Sequence, residues 1–130
     1  MRNYQSANFQ YQTLIHHQHA DLIMNFPKAC WSTTCFPEMY HFLQVRQPSV
    51  LETTCFNDEN LTFSEEVKQT EMGHLFEHLV IDQLCQLKAK TDDAEFEGCT
   101  EWNWWKYPIG SFKVTININH QDQKYLDLAL

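Results

Sequence analysis

The 130-residue sequence has no long hydrophobic run, since no apolar stretch approaches the ~20 residues that a helix needs to cross a bilayer. We therefore expect no membrane-spanning segment. Residues 1–6 (MRNYQS) also have no apolar core of the kind found in secretory signal peptides. Both features favour a cytoplasmic protein.

Basic residues are scarce as well, since 9 Lys and Arg stand against 17 Asp and Glu, giving a formal net charge of −8. This charge argues against nucleic acid and anionic membrane surfaces as partners. It suits a basic ligand, although many small acidic domains carry such a charge for solubility alone. The length predicts a single domain over residues 1–130. The oligomeric state is left open, a homo-oligomer included.

The cysteines form no recognisable framework. There are five of them, an odd number, at positions 30, 35, 55, 85 and 99, with irregular spacing and no Cys-x-x-Cys. In a cytosolic protein we expect reduced thiols, most of them small core residues.

One stretch carries recognisable chemistry: residues 72–80 (MGHLFEHLV) contain His-x-x-Glu-His. On a helix, His74 and His78 lie one above the other and can bind one Zn²⁺. Glu77 lies on the same side, within reach of a water on the metal, as in the inverted zinc-protease motif. The metal would lower the pKa of this water toward ~7, and Glu77 would take the proton.

The surrounding apolar spacing predicts a central helix over residues 71–88. Its stripe consists of Met72, Leu75, Phe76, Leu79, Val80, Leu84 and Leu87. The motif residues lie to one side of this stripe, as a metal site requires. Because the chain is rich in His and Glu, the motif can also arise by chance, and a pair of surface histidines without a metal remains the alternative.

Alternation predicts strands over residues 8–16 and 112–118, and a further ordered stretch begins at Asp21 and stops at Pro27. Residues 33–37 look like a helix start, and Pro48 ends that helix. Ser64 is the expected N-cap of the next helical segment, after a polar loop over 53–63. The tail, 121–130, fits a short helix or a strand. Together these elements predict an α+β domain, with a small antiparallel sheet and helices packed on one face.

Two further clusters are expected to be structural. His16, His17 and His19 could bind a metal, but they would alternate across a strand or lie in a turn, so we expect no site there. Aromatic residues at 102, 104, 105 and 107 fit a core or an interface better than a base-stacking platform.

Several segments resemble the N-terminal domain of cyanophycin synthetase, in the same order, over residues 3–120. Residues 48–55 (PSVLETTC) look like its Pro-x-Leu-x-Glu-His-x-Cys stretch, and 66–78 (EVKQTEMGHLFEH) like the segment entering its Gly-His-x-x-Glu-His helix. Residues 96–101 (FEGCTE) stand where the family has Phe-Gly-Arg-Thr-Arg-Glu. Residues 109–114 (IGSFKV) are similar to its Pro-Gly-x-Tyr-x-Val strand, and 36–40 (FPEMY) to an earlier helix.

The resemblance implies a free-standing version of a module that, in some synthetases, is thought to carry a zinc-peptidase-like site that cuts the Asp-Arg polymer. The 130 residues do not include the ligase domains of those enzymes, so we expect the chain not to be the polymerising enzyme. The helix motif is also similar to that of insulinase-type peptidases and of S-ribosylhomocysteine lyase, which places Gly-Cys after its motif as Gly98-Cys99 falls here.

The chain departs from the family at three positions: Thr53 replaces a histidine, and Gly98 and Thr100 replace two arginines. A catalytic zinc needs a third protein ligand and one open position. Glu101 and Cys55 are the candidates, and Cys99 is a weaker one.

Two functions follow. The first is a zinc-dependent hydrolase of peptide or isopeptide bonds, acting on a basic or Asp-Arg-type substrate, with His74 and His78 on the metal and Glu77 activating water. The second is a non-catalytic scaffold or protein-interaction module that retains the fold.

Overall fold

The structure of the protein, a computed structural model, describes residues 2–5, 9–26, 31–53, 61–89 and 96–130. Five strands form one antiparallel sheet with the order β1-β2-β3-β5-β4. Their bounds are β1 (Arg2–Gln5), β2 (Gln10–Ile15), β3 (His19–Asn25), β4 (Glu97–Glu101) and β5 (Ser111–Asn117). The predicted α+β fold class is confirmed.

The two central strands give the sheet one apolar face and one polar face. Along β5, Phe112, Val114 and Ile116 are buried while Lys113 between them is exposed. In the neighbouring strand β3, Ala20, Leu22 and Met24 are buried on the same face, and the register pairs Leu22 with Val114. The period of two in the sequence therefore places these apolar side chains on the face that the helices cover, while Ile23 is 39% exposed.

Four helices follow the strands or connect them: α1 (Met39–Arg46), α2 (Phe63–Glu66), α3 (Met72–Ala89) and α4 (Gln123–Ala129). Helix α3, which carries His-x-x-Glu-His, lies between two hydrophobic clusters. On one side Val80 and Leu84 join the sheet core, and on the other Leu75 packs with Phe63 of α2. The predicted helix over 71–88 is confirmed. No helix of the described ranges combines the length and apolar character needed to cross a bilayer.

Some details differ from the predictions. Helix α2 begins at Phe63 with Thr62 at the N-cap position, so Ser64 is not the N-cap; the start is set by Phe63, which is completely buried. The helix expected from residues 33–37 is divided into a 3₁₀ turn (Thr33–Cys35) and α1. Thr33 is held outside α1 because its backbone and hydroxyl both bond Thr70.

Two strands were not predicted, and the tail forms α4. Strand β1 is short. In β4 the alternation of apolar and polar residues cannot be recognised from the sequence, because the inward-facing position 98 is a glycine. A Cβ at this position would lie 3.0 Å from the side chain of Ile81 on α3 and 3.0 Å from that of Ile116 on β5. Cys99 lies within β4. Most of the predicted loop over 53–63 falls outside the described residues.

Candidate metal centre

The side chains of His74, Glu77 and His78 converge on one side of α3. One ligand atom from each lies within 4.8 Å of the others. His78 and Glu77 are only 3% and 6% exposed, whereas His74 is half-buried. The grouping follows from the 3.6-residue period, which brings positions i, i+3 and i+4 together.

The separation of the two imidazoles fits a zinc ion. Nε2 of His74 and Nε2 of His78 are 3.1 Å apart. Two nitrogen ligands at 2.0–2.1 Å from a tetrahedral zinc are separated by about 3.3 Å. The observed distance is therefore within a few tenths of an ångström of that of a pair sharing one ion, so these residues fit the metal.

Hydrogen bonds set the tautomer of His78. Its Nδ1 lies 2.8 Å from Oγ1 of Thr53, and this hydroxyl lies 2.6 Å from the carbonyl of Val50. A hydroxyl has one proton, which Thr53 donates to Val50, so Thr53 accepts the Nδ1–H of His78. Nε2 of His78 therefore carries the lone pair of the ring.

His74 is arranged in the same way. Its Nδ1 lies 2.8 Å from Oγ1 of Thr70, and that hydroxyl donates its proton to the Glu71 carboxylate at 3.3 Å. With the Thr70 hydroxyl bonded to Glu71, Nδ1 of His74 can donate to Thr70, and in that tautomer its Nε2 also carries a lone pair. Two lone pairs facing each other at hydrogen-bond distance repel unless a cation lies between them, and outer partners of this kind are typical of metal-binding histidines.

Burial keeps both imidazoles neutral. The ring of Phe63 stacks on His78 with centroids 3.8 Å apart. Desolvation, followed by the neighbouring His74, lowers the pKa of His78 to about 3. Desolvation also lowers the pKa of His74, against an opposing influence of Glu71. At neutral pH both side chains are therefore in the form that binds metal.

Glu77 is positioned as a base beside this pair. Its Oε1 accepts a 2.9 Å hydrogen bond from Thr100 of β4, and its Oε2 lies 3.8 Å from Nε2 of His78. Burial raises the pKa of Glu77, and the bond from Thr100 acts in the opposite direction. A carboxylate with one oxygen held and a raised pKa is suited to accepting a proton.

Gly73 allows α3 to approach the sheet closely enough for this contact. A Cβ at this position would lie 2.5 Å from Cγ of Phe112, well inside van der Waals contact. The close approach also brings Thr100 to 3.5 Å from the Gly73 carbonyl. The glycine thus places Glu77 against β4.

Asp82, one turn beyond His78, fixes the segment that ends at Thr53. Its Oδ2 accepts hydrogen bonds from Gln47, Ser49 and Gln86 at 3.0, 2.8 and 3.0 Å. Gln47 and Ser49 flank the start of the 3₁₀ segment Pro48–Glu52, which Thr53 follows. The partner of His78 is therefore held in place from the same helix.

Two of the other predicted ligands, Cys99 and Glu101, are not in this group. In β4 the residues alternate, so that Gly98 and Thr100 are half-buried while Cys99 and Glu101 are exposed. Among the described residues, the group of atoms within 4.8 Å contains neither of the latter two. Burial, Glu101 and Glu77 raise the pKa of Cys99, which disfavours its thiolate. Cys55 lies outside the described residues, and the third ligand stays a prediction.

The site opens into a groove of ≈ 1240 Å³ between α3, β4 and the segment around Glu65. Its walls are rich in carboxylates, namely Glu52, Glu65, Glu66, Glu71, Glu77 and Glu97. Among the described residues that line it, Lys68 is the one lysine or arginine. The groove therefore favours a cationic ligand.

Sequence reasoning did not identify the two threonines that orient the histidines. Thr70 precedes His74 by four residues, the spacing that brings side chains together at a helix start, and this spacing could have indicated it. Thr53 is 25 residues from His78, and no sequence signal connects them. Comparison of the chain with protein-family models, with curated proteins and with solved structures found no match.

Proposed function

We propose that the protein is a zinc-dependent hydrolase of peptide or isopeptide bonds. One observation carries the proposal: the Nε2 atoms of two neutral histidines face each other at 3.1 Å, each ring oriented by a threonine on Nδ1. A bound Zn²⁺ would supply Lewis acidity and lower the pKa of a water molecule. His74 and His78 hold the ion, with Glu101 or Cys55 proposed as the third protein ligand.

Glu77 supplies the acid–base chemistry. Its Oε2 takes a proton from water as the water oxygen forms a bond to the substrate carbonyl carbon. The same carboxyl then gives this proton to the leaving nitrogen as the C–N bond breaks, so that the enzyme is regenerated. Thr100 holds Oε1 and thereby keeps Oε2 directed toward the histidines.

The acidic groove supports a basic peptide as substrate. The resemblance to the N-terminal domain of cyanophycin synthetase points in the same direction, because Asp-Arg polymers carry guanidinium groups that carboxylates bind well. Two of the positions at which this chain departs from that family are in contact with the site: Thr53 bonds His78, and Thr100 bonds Glu77. The residues that replace those of the family thus form hydrogen bonds with residues of the motif.

The alternative is a non-catalytic interaction module, and the aromatic segment favours it. Trp104 packs into the core, as expected, and its Nε1 donates to the carbonyl of Ser111. Trp102 and Tyr107 are 46% and 54% exposed, and Trp105 is fully exposed. Exposed tryptophans of this kind are typical of protein-contact surfaces.

The first experiment is the metal content of untagged protein purified without added metal. Wild type should contain one more zinc per chain than His78→Ala, whereas His41→Ala, which removes an exposed histidine on α1, should equal wild type. Equal zinc in wild type and a folded His78→Ala variant would exclude the site.

Activity is then assayed with zinc-loaded protein on basic peptides and Asp-Arg polymers. Glu77→Gln should keep the zinc and the bond from Thr100, yet lose about 10²–10⁴-fold in rate. Glu38→Gln, which changes an exposed glutamate that does not line the groove, serves as the matched control. Retained zinc without turnover of any of these substrates would favour the interaction module.

A further inference from the structure

A second group of metal-type side chains lies at the β2–β3 turn, on the opposite face of the sheet from α3. Ala20 and Leu22 of β3 point into the core, so Asp21 between them belongs to the outer face. His19 is two residues before Asp21, and His16 is at the other side of the turn. Ligand atoms of His16, His19 and Asp21 lie within 4.8 Å of one another.

The two imidazoles converge on one oxygen. Nε2 of His16 is 3.2 Å and Nε2 of His19 is 3.9 Å from Oδ2 of Asp21. The rings stack with centroids 4.4 Å apart and an angle of 20° between their planes. Ligands on a tetrahedral zinc are separated by about 3.3 Å, so the distance from His16 to Asp21 fits such an ion, and the His19 ring has to move closer to Asp21.

Asp21 is prepared for this role by its surroundings. Thr115 donates to Oδ1 at 2.9 Å, which leaves Oδ2 as the oxygen directed at the histidines. The Asp21 side chain is 10% exposed, whereas those of His16 and His19 are 45% and 40% exposed. A cation can therefore enter past the rings and meet a buried carboxylate at the base.

Lys113 is the competing cation. Its Nζ lies 3.8 Å from Oδ2 of Asp21, but the side chain is 47% exposed and can turn away into solvent. An exposed lysine gains little from such a pair. A divalent ion bound by three side chains displaces it.

The turn itself is held in position from three sides. The amide of His16 donates to the carbonyl of His19 at 2.9 Å, which closes the hairpin. The carbonyl of His16 accepts a bond from Gln123 of α4, and the carbonyl of Gln18 accepts one from the amide of Ile118. The ligands therefore need little ordering on binding.

We propose that His16, His19 and Asp21 form a second metal site, for a late first-row divalent cation of the zinc and copper(II) class. Two imidazoles and one carboxylate are a common ligand set for such ions, while Mg²⁺ and Ca²⁺ prefer oxygen ligands alone. The remaining coordination positions are open to water. The bound ion joins the β2–β3 turn to the middle of the sheet.

The test is zinc stoichiometry and affinity by isothermal titration of the chelator-treated full chain. Wild type should bind two ions, His78→Ala one, His16→Asn one, and the double variant none. His17→Asn is the matched control, because His17 is exposed on the same turn and is not in the group. Loss of a ligand should weaken the second ion by at least about tenfold, since even outer partners contribute that much.

Asp21→Asn provides a second variant that keeps an oxygen for the Thr115 bond but removes the charge. It should lose the same ion as His16→Asn and retain the α3 ion. The proposal is overturned if either variant leaves the stoichiometry unchanged, or if His17→Asn loses as much affinity as His16→Asn. It stands or falls separately from the α3 site, whose failure would appear as one bound ion in both wild type and His78→Ala.

Discussion

Replacement of Thr53 by valine tests whether a threonine hydroxyl sets the metal-binding tautomer of His78. The change is nearly isosteric and removes the acceptor that lies 2.8 Å from Nδ1 of His78. Without it the imidazole can move its proton to Nε2 and donate to His74, whose Nε2 is 3.1 Å away. The variant therefore exchanges one hydrogen bond for another and loses the lone pair that zinc needs.

The substitution should affect the stability of the metal-free protein and its zinc affinity to different extents. The metal-free variant should lose only about 1 kcal/mol in free energy of unfolding, because the Nδ1–H bond is replaced and only the bond to the Val50 carbonyl is lost. Zinc affinity should fall about 10–100-fold, as for other outer partners of metal-bound histidines. Urea unfolding of chelated protein gives the first quantity, zinc titration the second, and imidazole ¹⁵N shifts report the tautomer.

The matched control is Thr13→Val, which removes the hydroxyl of another buried threonine, one that lies on β2. It should leave zinc affinity unchanged. The reasoning about the tautomer is refuted if Thr53→Val binds zinc as tightly as wild type, or if the His78 proton stays on Nδ1 in the variant.

Further predictions concern stability. Thr13→Val should raise the free energy of unfolding in urea by about 1 kcal/mol, because among the described residues the buried Oγ1 of Thr13 has no hydrogen-bond partner; a loss would contradict this. Gly73→Ala should lower it by about 1–3 kcal/mol through the 2.5 Å contact with Phe112, and unchanged stability would mean that α3 lies farther from β5. In chelated protein the folded pKa of His78 is about 3 against an ordinary 6.5, so the unfolded chain binds more protons below pH 6.5. The free energy of unfolding should then fall on acidification by up to about 1.4 kcal/mol per pH unit for this histidine. Glu77, whose pKa is raised in the folded state, should make a contribution of opposite sign just above pH 4.5. The variant His78→Phe should reduce the dependence of the free energy of unfolding on pH. Zinc at about 100 times the Kd of the α3 site should raise the free energy of unfolding by about 2.7 kcal/mol through that site, and His78→Ala should abolish this contribution.

Much of the fold could be predicted from hydrophobic period alone. Helix α3 and strand β5 have long, regular patterns, and both were found within two residues of their predicted ends. The elements that were missed, β1 and β4, are 4 and 5 residues long. Strands this short are determined by their neighbours in the sheet rather than by their own sequence.

The candidate metal site also has one part that the sequence predicts and one part that it does not. The grouping of His74, Glu77 and His78 follows from helical geometry and needs no knowledge of the rest of the chain. The partners of these residues, Thr53 and Thr100, arrive from segments more than 20 residues away and depend on tertiary packing. At the β2–β3 turn the sequence predicted no site, because only the histidines were considered there, whereas the proposed ligand set adds Asp21 to His16 and His19.

The energetic cost of the α3 arrangement distinguishes a metal site from a structural histidine pair. A buried imidazole is tolerated when each nitrogen has a partner, and a purely structural pair would let one ring donate to the other. Here Thr53 donates to Val50 and Thr70 to Glu71, so both hydroxyls can accept an Nδ1 proton. In those tautomers the two Nε2 lone pairs face each other at 3.1 Å, an arrangement that carries a repulsive penalty without a cation. Apolar residues at positions 74 and 78 would fill the same volume without that penalty. A cation between the two nitrogens would remove it, and for this reason the outer threonines, more than the motif itself, support the proposed metal site.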